Sequence, residues 1–213
     1  MTDTLTHTHL RRMLDAAVAQ IRSQHEMLSR LDAAVGDGDH GTTMLRALEA
    51  AAQAAAQSAG PDLQPLLSAV GWAVMSCDGG STGPLLGSLF LGMSEAVAGR
   101  AELDHAAVGA MFEAGVAKMQ KQSRAQIGDK TMMDALLPAV AALKSADPAR
   151  GLPAALGAAA EAAAQGAAAT TTLRAKFGRA RHLGDRVIGH PDPGAVSVSL
   201  IFRGFHEGLA AGG

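Results

Sequence analysis

The chain has 213 residues, a formal net charge of −2 and a sequence pI near 6.4, with 48% hydrophobic and 18% charged residues. This is enough chain to bury a substantial core, and the balance excludes a disordered protein and the basic footprint of a general nucleic-acid binder. A lone cysteine, Cys77, excludes an internal disulfide, no apolar run approaches the length of a membrane span, and MTDTLTHTHLRR does not read as a signal peptide, so a cytoplasmic location is expected.

Aromatics make up 3% and Tyr is absent, while Ala, Leu, Gly and Met dominate, which favours helix over strand. In chain order, residues 5–32 predict a first helix, with Leu10, Met13, Leu14, Ala17, Ile21 and Met27 on one side. An Ala-rich second helix runs from Thr42 to about Gln57 and ends at Ser58-Ala59-Gly60-Pro61. The third starts near Asp62, a suitable N-cap, and stops at Asp78-Gly79-Gly80. The fourth runs from Gly83-Pro84 to about Gly99, the fifth from Asp104 to about Gln122, and the sixth from Thr131 to Ala146. The seventh covers about Leu152 to Ala169, and the last about Pro193 to Leu209. Val196 to Ile201 alternates like a strand but has no second strand to pair with, so it reads as helix. Short connections make neighbours antiparallel, which predicts one all-α domain over 1–213, an eight-helix up-and-down bundle or closed barrel. Residues 170–191 form the longest irregular stretch, rich in Arg, Gly and His, and such loops usually carry function. Trp72, Cys77 and the methionines Met93, Met111, Met119, Met132 and Met133 read as core, and His7, His9, His25, His105 and His206 as surface or packing residues.

Polar residues that packing does not explain collect between helices. Asp32, Asp37 and Asp39 fall within eight residues, interleaved with Gly36, Gly38 and Gly41, and such carboxylates repel one another unless cations lie among them. All-oxygen ligation selects a hard cation such as Mg²⁺, Mn²⁺ or Ca²⁺. Gly36-x-Gly38-x-x-Gly41 spells the dinucleotide fingerprint, but a helix precedes it and two aspartates would repel a pyrophosphate. An EF-hand starting at Asp37 fails at Thr42 and Leu48, where Gly and Glu are required. Asp78-Gly79-Gly80-Ser81-Thr82-Gly83-Pro84 is a glycine-rich turn at a helix start, suited to phosphate but lacking the Walker lysine. Gly128-Asp129-Lys130-Thr131 opens the sixth helix, with Lys130 facing phosphate or pairing with Asp129 on a solvated turn. Gly178-Arg179-Ala180-Arg181-His182 and the later Gly189-His190-Pro191-Asp192-Pro193-Gly194 join cations to a tight turn, arginine being suited to bidentate phosphate contact.

The strings GDGDHGTTM (36–44), GGSTGPLLGSLF (79–90), GDKTMMDALLPAV (128–140) and GRARHLGDRVIGHPDPGA (178–195), in this order and spacing, resemble the nucleotide-binding L subunit of dihydroxyacetone kinases. The same domain forms the C-terminal half of single-chain kinases of that family. The resemblance implies an eight-helix barrel with ADP or ATP at one end, and two Mg²⁺ ions on Asp32, Asp37 and Asp39 bridging the diphosphate. It implies nucleotide contacts from His40, Gly41, Thr42 and Thr43, from Ser81 and Thr82, from Met132 beside the adenine, from Arg179, and from Asp192, Pro193 and Gly194. No protein nucleophile is implied. It further implies that a phosphocarrier M subunit recharges ADP held as a coenzyme, and that the phosphoryl group passes to a triose bound on a separate K subunit. The sequence departs from the family pattern at Thr43, commonly Asn, at Ser123, usually Gly, and at Arg181, commonly small and polar. The acceptor stays open between dihydroxyacetone and a keto-sugar such as a tetrulose. A nucleotide-sensing regulator without turnover and a homodimeric assembly also stay open.

Overall fold

The computed structural model describes residues 4–211; residues 1–3 and 212–213, the ends of the expected domain and the start of the N-terminal stretch, lie outside the described residues. Eight α-helices follow in order: α1 (His7–Val35), α2 (His40–Gln57), α3 (Leu63–Met75), α4 (Thr82–Ala96), α5 (His105–Gln120), α6 (Met133–Ser145), α7 (Gly151–Ala169) and α8 (Pro193–Ala210). Each packs on its neighbour in the chain, and α8 returns to pack on α1, which closes the ring. The expected all-α barrel is therefore present. Val196 to Ile201 lies within α8, as read from the sequence.

Two small elements depart from expectation. Leu5–Thr6 (β1) pairs antiparallel with Glu102–Leu103 (β2) instead of beginning α1. Thr6 then caps α1, its hydroxyl accepting from the His9 amide while His9 Nδ1 accepts from the Thr6 amide. The stretch after α7 is not wholly irregular: Thr170–Thr172 and Arg179–Val187 wind into short 3₁₀ turns, the second broken at Gly184 with φ +60°.

The core is continuous and lined by helical stripes such as Leu10, Met13, Leu14, Ala17 and Ile21 of α1. Phe112, Phe202 and Phe205 meet at its centre with ring centroids 5.6–6.2 Å apart. Met93, Met111, Met119 and Met133 are buried in it, as expected. Trp72 is not: it is 59% exposed. Gly71 sits at the close α3–α4 contact, and the next residue, 100° further round the helix, is turned to solvent. Cys77 is only half-buried, its thiol donating to the Ala73 carbonyl. Among the described residues no helix is long and apolar enough to cross a membrane.

Small residues let the helices approach closely. A Cβ on Gly204 of α8 would lie 2.4 Å from the Ala17 Cα of α1, so the seam that closes the ring admits only glycine there. Gly204→Val should destabilise the protein by about 3 kcal/mol without changing its helical content after refolding at low denaturant. Urea unfolding followed by circular dichroism measures this; an unchanged midpoint would contradict the seam.

Candidate functional site

In an antiparallel ring the connections α1–α2, α3–α4, α5–α6 and α7–α8 all fall at one end. These four connections hold all four polar segments singled out in the sequence. They enclose a cavity of about 570 Å³. The first residue of every even-numbered helix (His40, Thr82, Met133 and Pro193) lines it. The positive ends of four helix dipoles therefore converge on this space. The N-cap residues of α2, α4 and α6 (Asp39, Ser81 and Met132) make no side-chain capping hydrogen bond. By contrast α1, α3 and α5, which begin at the far end, are capped by Thr6, Asp62 and Asp104. The first amides of α6 are taken up locally, Met133 N by Thr131 Oγ1 at 3.2 Å and Asp134 N by Thr131 O at 3.0 Å, whereas the starts of α2 and α4 beside the cavity are suited to an anion.

The aspartates meet at the cavity wall. Asp32 lies in the last turn of α1, which runs on to Val35, so the turn that follows wraps around its carboxylate. Asp32 Oδ2 accepts from the amides of Gly38 (2.9 Å) and His40 (3.2 Å). Gly36 must lack a side chain here, because a Cβ would come within 2.5 Å of Asp32 Oδ1. Asp37 is exposed and paired with the Arg179 guanidinium, which reaches across from the α7–α8 connection. Carboxylate oxygens of Asp32, Asp37 and Asp39 all lie within 4.8 Å of one another. The donor set is three carboxylates with no sulfur or imidazole among them, which fits a hard divalent cation.

The glycine-rich turn packs against this cluster. Gly79 has φ +141°, and a Cβ there would lie 2.3 Å from Thr43 Cγ2, so this turn and the start of α2 fit only with glycine. His40 Nε2 is 2.7 Å from Ser197 Oγ, whose own hydrogen is directed to the Pro193 carbonyl at 3.0 Å. Neutral His40 thus carries its proton on Nε2 and ties α2 to α8. Burial holds its pKa below the ordinary histidine range, opposed by the charges of Asp32 and Asp39.

Of the residues expected to bind nucleotide, His40, Thr43, Ser81, Thr82, Met132, Arg179, Asp192, Pro193 and Gly194 line the cavity, together with the three aspartates. Gly41 and Thr42 do not. Gly41 is buried against α1, where a Cβ would meet the His25 carbonyl at 1.9 Å, and Thr42 is exposed one position further round α2. Ser123 is in the wall and Arg181 is exposed beside His182. Phe177 also lines the wall, though the sequence reading passed over it; it is the one aromatic residue in the cationic 170–191 stretch.

Lys130 lines the cavity but does not pair with Asp129. Its side chain is buried, and Asp129 pairs instead with Lys176 at 2.6 Å, a hydrogen bond that holds the Asp129 carboxyl below its usual range. Asp192 caps α8, its Oδ2 accepting from the Ala195 amide at 2.8 Å. The residue as a whole is half-exposed, but its carboxyl is sunk into the wall, and burial pushes its pKa up to about 7. The Ala195 amide and Lys130 oppose this shift, and Asp134 reinforces it. The native state therefore holds a proton that the unfolded chain, with its ordinary value of 3.8, releases earlier. Stability of the nucleotide-free protein should fall as pH rises from about 4 to about 7. Asp192→Asn keeps the cap and removes this titration. The variant should match the parent near pH 4 and exceed it at pH 8, as measured by urea unfolding at both pH values; equal pH profiles would contradict the buried carboxyl.

Comparison with known proteins places this geometry in a family. The ADP-binding subunit of PEP-dependent dihydroxyacetone kinase 1 of Listeria innocua is 38% identical over 86% of this chain and 87% of its own length. The D-erythrulose kinase of Mycolicibacterium smegmatis is 36% identical over 90% of this chain, which spans 34% of that protein. The crystal structure of the dihydroxyacetone kinase from C. freundii in complex with AMP-PNP and Mg²⁺ superposes with a TM-score of 0.72 at 28% identity. That match covers 92% of this chain and 33% of that one. The DAK2 domain matches residues 34–207, from the last turn of α1 to the last turns of α8, and the chain belongs to the DAK2 domain family.

Proposed function

We propose that this chain is the ADP- and ATP-binding subunit of a dihydroxyacetone kinase, a phosphotransferase that needs a partner subunit to act. The observation that carries the reading is the shared cavity: a triad of carboxylates and the N-termini of α2 and α4, which no N-cap side chain closes, face one space. Carboxylates alone would repel a nucleotide, and helix N-termini alone would need no carboxylates. Both together suit a phosphate chain carried with divalent cations. The names of the relatives, an ADP-binding subunit and a kinase solved with AMP-PNP and Mg²⁺, point the same way.

Asp32, Asp37 and Asp39 would hold two Mg²⁺ ions. Their combined charge of −3 is met in this structure by the single guanidinium of Arg179 and the dipole of α2, which leaves room for dications. Mg²⁺ when bound neutralises the negative charge of the transferring phosphoryl group. The turn from Gly79 to Thr82 offers backbone N–H groups to the phosphates, Met132 and Phe177 supply apolar surface for a base, and Arg179 supplies a cation near Asp37. Phosphoryl transfer needs positioning and charge neutralisation more than covalent chemistry, so no catalytic nucleophile is assigned. The acceptor ketose would sit on a separate K subunit that docks at this end. Recharging by a phosphocarrier M subunit fits the PEP-dependent relatives, and a cytoplasmic location fits such a partner.

Calorimetric titration with ADP, first with Mg²⁺ and then with EDTA, tests the site. Binding should be about 100-fold weaker in EDTA, and Asp37→Ala should lose the Mg²⁺-dependent part with an unchanged far-UV spectrum. Equal ADP affinity in all three measurements would remove the metal assignment. Absence of binding throughout would remove the nucleotide reading.

A further inference from the structure

Lys130 is the one non-glycine residue with positive φ among the described residues, at +59°, and it is 2% exposed. An L residue in that conformation and a buried ammonium are each unfavourable, so something must hold both. The Gly128-Asp129-Lys130 turn is held by Asp134 of α6, whose carboxylate accepts from the amides of Gly128 (2.6 Å) and Thr131 (2.7 Å). The Lys130 ammonium donates to the carbonyls of Thr170 and His190, the latter at 2.6 Å. Those two carbonyls stand 20 residues apart in the chain, at the two ends of the segment 171–189 that carries Phe177 and Arg179 over the cavity. The same turn holds the segment at a third point, where Asp129 accepts from the backbone amide of Lys176 at 3.1 Å and from its ammonium at 2.6 Å. Further contacts close the base, Gly189 N to Thr171 O at 2.8 Å and Asp192 N to Thr170 Oγ1 at 2.8 Å. The rest of the segment is mostly exposed, with short 3₁₀ turns and little core contact beyond Phe177 and Val187.

We propose that Lys130 is a positioning residue for the capping segment: its ammonium draws both ends of 171–189 onto one point, and this sets how long a nucleotide stays in the cavity. The second half of the statement rests on the nucleotide reading above; the first half does not. An alternative in which Lys130 reaches a phosphate would require it to abandon two buried carbonyl acceptors, each of which would then lie unsatisfied.

Lys130→Asn and Lys130→Gly both tolerate positive φ and both lack the ammonium, so they separate the charge from the backbone strain. Hydrogen exchange on the nucleotide-free variants should show about tenfold faster exchange at Lys176, Ile188 and Gly189, with the helices protected as in the parent. Stopped-flow measurement with fluorescent mant-ADP and Mg²⁺ should show dissociation about tenfold faster and association changed by less than about twofold. Unchanged exchange in the segment would overturn the anchoring role, and so would an equal loss of protection throughout the helices. Faster exchange with unchanged dissociation would overturn the link to residence time. If the parent binds no mant-ADP, the nucleotide reading fails while the exchange result still judges the anchor.

Discussion

Carboxylate oxygens within 4.8 Å of one another at Asp32, Asp37 and Asp39 repel by about 1 kcal/mol per pair in water and by about 3–4 kcal/mol at an effective dielectric near 20. The remainder of the site is arranged around that concentrated charge. Asp32 is steadied by two backbone amides, Asp37 by Arg179, and Asp39 stands at the positive end of α2. Gly36 is small because Asp32 Oδ1 occupies the space a side chain would need. None of these devices removes the surplus negative charge, which suits the cluster to the cations proposed for it.

The second constraint is topological. Up-and-down connectivity sends alternate connections to opposite ends, so the four sequence segments with unusual polarity meet without any long crossover. The two ends of the barrel are treated differently. Side chains cap α1, α3 and α5, which start away from the cavity, at Thr6, Asp62 and Asp104, whereas α2 and α4, which start beside it, have no side-chain cap. Two helices depart from this contrast: α7, at the far end, has no side-chain cap, and α8, at the cavity, is capped by Asp192. Close packing fixes how these ends and walls meet, since the glycine-rich turn nests on Thr43 and α1 meets α8 through Gly204.

The capping segment is of another character. It carries Arg174, Lys176, Arg179, Arg181 and Arg186 against a single acid, Asp185, and so stands out from a chain of net charge −2. Arg174 and Asp185 pair within it, and Arg179 reaches Asp37 across the cavity. Such exposed pairs contribute little each. The segment is held instead by buried polar contacts at its base, where Thr170, Lys130 and Asp192 meet.

Eight helices in sequence order, their approximate bounds, the acidic cluster and the glycine-rich turn were all legible in the residues. Each rests on short-range physics: 3.6-residue periodicity, capping, and the mutual repulsion of nearby carboxylates. The four-block resemblance added the nucleotide, and nine of its eleven expected contact residues line the cavity. Tertiary structure decided what depends on residues distant in the chain. Trp72 is exposed because Gly71 takes the contact with α4, a choice that an apolar helix with small residues on several faces does not reveal. Gly41 faces the tight α1–α2 seam and Thr42 faces solvent, so neither lines the cavity. Lys130, read locally as facing phosphate or pairing with its neighbour Asp129, finds its acceptors 40 and 60 residues away, because a buried ammonium takes the carbonyls that the fold brings to it.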